Sequence, residues 1–252
     1  SRFIGRSRGI DSPLAMTDTE ALSGSEGSVL DPIVAIRLRI TLDPGQTVTV
    51  DMATGVSESR EAALALASKY RDRHLADRVI DLAWTHSRVN LQQINASESD
   101  AQLYGRLASS IIYVNPLLRA DPGVLVRNHR GQSGLWGYAI SGDLPIVLLK
   151  ISEAANIELV RQLVQAHAYW RLKGLAVDLV IWNEDHAGYR QLLQEQIMGL
   201  IAAGLPANLA DRPGGIFVRA AEQISNEDRT LFQTVARAII ADSRGSLSDQ
   251  IG

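Results

Sequence analysis

The most chemically loaded run in these 252 residues is Asn183-Glu184-Asp185-His186, which sets two carboxylates beside an imidazole. Such a group can pass protons in hydrolysis, one carboxyl as acid and the other as base, or hold a metal ion. The same residue types suit the first turn of a helix, whose free backbone amides favour short polar and acidic side chains. A second run, from Asn128 to Pro145, differs in kind: its glycines permit close backbone approach, Trp136 and Tyr138 offer flat faces, and Asn128, Arg130, Gln132 and Asp143 offer planar polar groups. Sugars are bound by that mixture, their C–H faces on aromatic rings and their hydroxyls on planar polar partners. The candidate substrate-binding residues are therefore Trp136 and Asp143, with Asn183 and Glu184 next; the alternative for the loop is an ordered turn whose aromatics pack on neighbouring helices.

Other runs carry less. Ile140-Ser141-Gly142-Asp143-Leu144 lacks the Gly-x-Ser-x-Gly spacing of a hydrolase elbow. Gly214-Gly215 precedes a predicted strand, whereas a phosphate-cradling loop follows one and opens a helix. His74, His86, His129, His167 and His186 include no pair at the i, i+4 spacing of a helical metal site. Arg2, Arg6 and Arg8 could meet phosphate, a solvated strand face being the plain alternative. With no cysteine, disulfides, thiolate nucleophiles and cysteine-based zinc sites are excluded. No catalytic residue, metal ligand or cofactor is assigned within the chain.

The formal net charge of -3 gives no basic field for nucleic acid or anionic lipid. No stretch approaches the roughly 20 apolar residues that cross a bilayer, and the first residues lack a signal peptide's apolar run. The chain reads as soluble, with no nucleic-acid partner and no direct membrane insertion.

Changes in hydrophobic period divide the chain into three zones. Residues 1–57 read as β: Ile36, Leu38, Ile40 and Leu42 alternate with polar residues, Asp43-Pro44-Gly45 turns the chain, and Val48, Val50 and Met52 resume the alternation. One hairpin has open edges and a bare apolar face, so it needs a larger sheet. Residues 58–120 read as helices, with Ser97 or Ser99 as a cap before Leu103, Leu107 and Ile111. Residues 121–252 alternate strand and helix. Leu144 to Ile151, Val177 to Trp182 and Gly215 to Arg219 predict three buried parallel strands, with amphipathic helices between them and Ser225 capping another. In such sheets ligands gather beyond the carboxyl ends of the strands, at Lys150 to Glu153, Asn183 to His186 and Arg219 to Glu222.

Several stretches, read together, resemble one family. Phe3-Ile-Gly-Arg6, Leu22 to Ile33 with Arg37, and Asp43-Pro-Gly45 are similar to the end of the β-sandwich of cellobiose phosphorylase-family glycoside phosphorylases. Leu135 to Val147, Leu159-Val-Arg-Gln-Leu163, Tyr169 to Leu175 and Val177 to Glu184 resemble, more specifically, cyclic β-1,2-glucan synthases. The resemblance is colinear and covers nearly the whole chain; Ala139 departs from it where glycine is expected, which bears on loop geometry.

The resemblance implies an internal segment of a parent embedded in the bacterial inner membrane, lying on its cytoplasmic face. UDP-glucose and inorganic phosphate are implied for the parent. In the family the catalytic acid lies in an (α/α)₆ barrel that these residues do not encode, so no catalytic residue carries over. The expected fold is α/β with an N-terminal β element: the end of a β-sandwich (1–57), a helical connector (58–120) and a small three-strand parallel α/β unit (121–252). The expected role is a noncatalytic segment that contacts β-1,2-glucan and the remaining domains of the parent polypeptide. Two alternatives stand beside it, a small β-glucan-acting enzyme centred on Asn183 to His186, and a pure inter-domain scaffold.

Overall fold

The computed structural model describes residues 3–28, 33–185, 190–204 and 210–252. They divide into two compact units, residues 1–73 and 74–252. Arg2 and Tyr189, named above or on a predicted helix face, lie outside the described residues.

In the first unit the turn at Asp43-Pro44-Gly45 forms, closed by the Gln46 amide donating to the Asp43 carbonyl at 3.0 Å. The alternating residues on either side do not pair: the described residues before Ser59 contain no strand, and Ile36, Leu38, Ile40, Leu42, Val48, Val50 and Met52 are all exposed. A two-stranded ribbon with nothing against its apolar face gains too little to offset the ordering of its backbone. Regular structure here is helical, in α1 (Leu14–Thr17) and α2 (Arg60–Tyr70), the latter capped by the Ser59 hydroxyl, which accepts from the Ala62 amide. Arg8, one of the three arginines near the start, donates to Thr17 Oγ1 at 3.0 Å.

The second unit holds α3 (Arg73–Gln93) from its second residue, α4 (Glu98–Ile112), α5 (Pro122–Val126), α6 (Ile157–Leu172), α7 (Arg190–Gly204), α8 (Asn226–Val235) and α9 (Leu247–Ile251), with a four-stranded parallel sheet. Its strands are β1 (Ile146–Ile151), β2 (Asp178–Asn183), β3 (Ile216–Ala220) and β4 (Ala238–Ala241), in the order β3-β2-β1-β4. Three strands are where the hydrophobic runs predict them. The fourth corrects the three-strand expectation: Ala238-Ile239-Ile240-Ala241 is too short to announce itself, yet it pairs with Val147 to Lys150 and makes β1 an interior strand.

Each face of the sheet has its own core. On one, Val147, Leu149 and Ile151 of β1 meet α6 through Leu159, Val160 and Leu163, together with Leu103, Leu107 and Ile111 of α4. On the other, Ile146, Leu148 and Trp182 lie under Leu231 and Phe232 of α8 and under Leu135 and Ile140 of the loop before β1. Ser97 caps α4 in a full capping box, its hydroxyl accepting from the Asp100 amide at 3.1 Å while Asp100 accepts from the Ser97 amide at 2.9 Å. Trp170 Nε1 donates to the Tyr104 carbonyl at 2.8 Å and joins α6 to α4.

His167 of α6 is fully buried, Nε2 pairing at 3.0 Å with the carbonyl of Val177, just ahead of β2. Burial pushes its pKa down from 6.5 to about 4, so the folded state holds it neutral. The unfolded chain therefore binds the extra proton first. This contribution to stability is complete above about pH 6.5 and is lost as pH falls towards 4, amounting to on the order of 3 kcal/mol. Urea unfolding at pH 7 and pH 5 is expected to show a loss of stability in the wild type that is smaller in His167→Gln.

Candidate functional site

The loop leading into β1 is anchored by some of its candidate residues and displays the others. Tyr138 faces inward, its hydroxyl donating to Asp228 Oδ2 at 2.8 Å and its ring meeting Phe232 edge-on at 5.2 Å. Arg130 pairs with Glu227 at 2.6 Å and Asp228 at 3.2 Å. These contacts fix the loop to α8, as the packing alternative expects. Trp136 is 64% exposed, its Nε1 donating to the Ser141 carbonyl at 3.3 Å. Gln132 Nε2 donates to the same carbonyl at 2.8 Å and to Asp143 Oδ1 at 3.0 Å, and the Asp143 amide donates to Ser141 Oγ at 3.2 Å. An open indole edge thus stands beside an amide and a carboxylate held in place by the loop's own bonds.

Two backbone positions shape this loop. Gly142 has φ +79, and a Cβ there would come within 2.8 Å of Gln132 Cγ. Ala139 has φ +62, a left-handed conformation that costs a side chain about 1 kcal/mol. The residue noted as a departure where glycine is expected therefore sits where glycine is the unstrained choice. Ala139→Gly is expected to leave stability unchanged or raise it by up to about 1 kcal/mol, and Ala139→Val to lower it by more than about 1 kcal/mol, both read as shifts in the urea midpoint.

At the other end of the sheet, Asn183 closes β2 in a buried position. Its Oδ1 accepts from the Asp185 amide at 3.1 Å and its Nδ2 donates to Gln194 Oε1 at 3.4 Å. Glu184 is half-buried and its amide donates to the Ile151 carbonyl at 2.7 Å. Asn183 thus turns the chain at the strand's end. His186 lies outside the described residues. Among the described residues no group of three or more His, Asp or Glu is arranged to hold a metal.

The four candidate residues therefore form two places, not one. Trp136 and Asp143 belong to the loop entering the amino end of β1, and Asn183 and Glu184 stand at the carboxyl end of β2. A six-residue strand spans about 20 Å, too far for one sugar ring to touch both.

The residue that sequence reasoning missed is Asp242. β1 leads on to β2 on one side, while β4, reached from β3, lies on its other side, so the strand order reverses between β1 and β4, where an open α/β sheet forms its ligand crevice at the carboxyl ends. Asp242 occupies that crevice. Its Oδ2 accepts from the amides of Ser152 at 2.8 Å and Glu153 at 3.1 Å, from Ser152 Oγ at 3.1 Å and from Asn156 Nδ2 at 3.4 Å. The donors that could hold a bound anion are satisfied by the protein's own carboxylate. Only recognition of the fourth strand could have revealed it.

Comparison with known proteins follows the same division. Residues 1–73 match the family model described as glycosyl hydrolase 94, supersandwich domain. Along 251 residues, 99% of its length, the chain is 30% identical to the cyclic β-(1,2)-glucan synthase NdvB of Rhizobium meliloti (strain 1021). It is similar to one part of a glucan synthase. That part is 9% of the relative's length, so the chain spans less than a tenth of the curated protein it matches. The supersandwich match agrees with the β reading of the N-terminal residues, and it runs through α2, which the hydrophobic period had assigned to the connector.

Asp242→Ala leaves two backbone amides without their acceptor at the edge of the core. It is expected to lower unfolding free energy by about 1–3 kcal/mol, with Asp242→Asn intermediate, measured by denaturant titration.

Proposed function

We propose that this chain is a noncatalytic, glucan-contacting segment of a longer cyclic β-1,2-glucan synthase. It supports the neighbouring domains of that polypeptide and offers the Trp136 loop to the growing or trimmed glucan. The similarity to a synthase along nearly the whole chain supports the glucan-synthesis setting. The observation that carries the noncatalytic part is the filled switch point, where the Asp242 carboxylate takes the amides a substrate anion would use. UDP-glucose and inorganic phosphate belong, on this reading, to other domains of the parent, at the cytoplasmic face of a bacterial inner membrane. Among the described residues no helix is long and apolar enough to cross a membrane.

Trp136 is the centre of the contact. An exposed indole beside Gln132 and Asp143 matches what a glucose ring needs, a flat apolar face and hydrogen-bonding groups at its rim. Calorimetric titration of the chain with linear and cyclic β-1,2-glucans is expected to give saturable binding that Trp136→Ala weakens at least tenfold. No heat from a folded sample would leave pure scaffold as the function. Glucan hydrolysis by the chain, abolished in Glu184→Gln, would make it an enzyme instead.

A further inference from the structure

The loop that displays Trp136 is held to α8 through Arg130 and Tyr138, and a second hold comes from the sheet. Arg219, the last-but-one residue of β3, donates from Nη2 to the Tyr138 carbonyl at 2.6 Å. Its Nη1 pairs with Asp211 Oδ1 at 2.7 Å and donates to the Val218 carbonyl at 2.8 Å. The guanidinium stands 5.6 Å from the centroid of the Phe217 ring. A planar fork of N–H donors can serve acceptors in several directions at once, and here one arm is anchored along β3 while the other reaches the loop.

That second arm falls on the peptide that carries the loop's strain. The peptide between Tyr138 and Ala139 is gripped at both ends, its carbonyl by Arg219 and its N–H by the Trp136 carbonyl at 3.0 Å. A planar peptide fixed at both ends sets the rotation about the next N–Cα bond, which is the φ of +62 that Ala139 holds. Alanine resists that left-handed conformation and keeps it only where its surroundings over-determine it. The rest of the loop depends on it. Ile140 returns its amide to the Leu135 carbonyl at 3.3 Å, and Ser141 then presents the carbonyl that receives both Trp136 Nε1 and Gln132 Nε2.

We propose that Arg219 is the positioning residue of the Trp136 loop, a role that rests on glucan being the loop's ligand only for its functional consequence. It holds the peptide so that Ala139 keeps its left-handed turn and the indole stays beside Gln132 and Asp143. Without the Arg219 bond the strained peptide rotates toward an ordinary φ, the Ser141 carbonyl leaves the indole N–H, and the contact surface comes apart. Ala139→Gly removes the strain and with it the need for Arg219.

The test follows the indole N–H signals of Trp84, Trp136, Trp170 and Trp182 by NMR of the isotope-labelled chain, the Trp136 signal being identified by its loss in Trp136→Phe. Arg219→Gln is expected to shift or broaden the Trp136 signal while those of Trp84 and Trp170 stay in place, and to weaken β-1,2-glucan binding about tenfold. Arg219→Gln combined with Ala139→Gly is expected to return both readouts towards the wild type, a non-additivity that a general loss of stability does not produce. A Trp136 signal unmoved in Arg219→Gln, or disturbed equally with and without Ala139→Gly, would overturn the proposal and leave Arg219 as a brace of the sheet edge. If Arg219→Gln loses the Trp84 and Trp170 signals of the folded chain, Arg219→Lys, which keeps a cation for Asp211 but lacks the second arm, takes its place under the same criteria. A wild type that binds no glucan would remove the ligand alone, with the indole signals still deciding the role of Arg219.

Discussion

A parallel strand buried on both faces must be covered on both faces, and the second unit is built around meeting that demand for β1. Four of its first five residues are fully buried, with β2 and β4 bonded along its two edges. The near-continuous apolar run from Ile146 to Ile151 cannot rest against water on either side, so α6 and α4 close one face and α8 with the preceding loop closes the other. Each methylene so removed from water contributes about 0.8 kcal/mol. The polar features of the sheet all lie at its ends, because the middle has no room for them.

Those ends are used differently. At the amino end, buried polar groups serve as pins: His167 holds the Val177 carbonyl, and Asp178 Oδ1 accepts from the Gly214 amide at 2.7 Å. The entering loop is locked to α8 by Tyr138 and Arg130, which leaves Trp136 free to stand out from the surface. At the carboxyl end, the crevice between β1 and β4 is filled by Asp242, which takes the amides of Ser152 and Glu153. A crevice that many proteins use to hold a reacting ligand is here closed by the chain's own carboxylate.

The first unit follows the opposite logic. Its alternating residues have the pattern of a strand with one buried face, and its turn is formed, yet its apolar side chains stand exposed without a ladder. Two short strands bury too little surface to offset the entropy of ordering them, and their outer edges would still carry unpaired amides and carbonyls. The match of residues 1–73 to a supersandwich domain agrees with a pattern made for a larger sheet.

Local sequence determined the α/β class, the first three strands, the helices between them and the Ser225 cap, because each follows from neighbours in the chain: near-continuous apolar runs for buried strands, a 3.6-residue repeat for helices, and a hydroxyl beside free amides. Between Ser97 and Ser99 as the cap of α4 the structure chose Ser97. The family resemblance, not periodicity, implied glycine at residue 139, and the positive φ of Ala139 gives that expectation a physical meaning. The fourth strand was not legible, since Ala238 to Ala241 has no pattern long enough to read and is a strand only because β1 offers it an edge. With it went Asp242 and the filled crevice, which depend on two segments about ninety residues apart meeting at one point. The candidate residues were chosen by chemical type, and type cannot say that Tyr138 turns inward while Trp136 turns out, or that Asn183 and Asp143 stand at opposite ends of the sheet. Those choices belong to the tertiary structure, because they are settled by which side chains reach a partner once the strands are stacked, and no local propensity contains that distance.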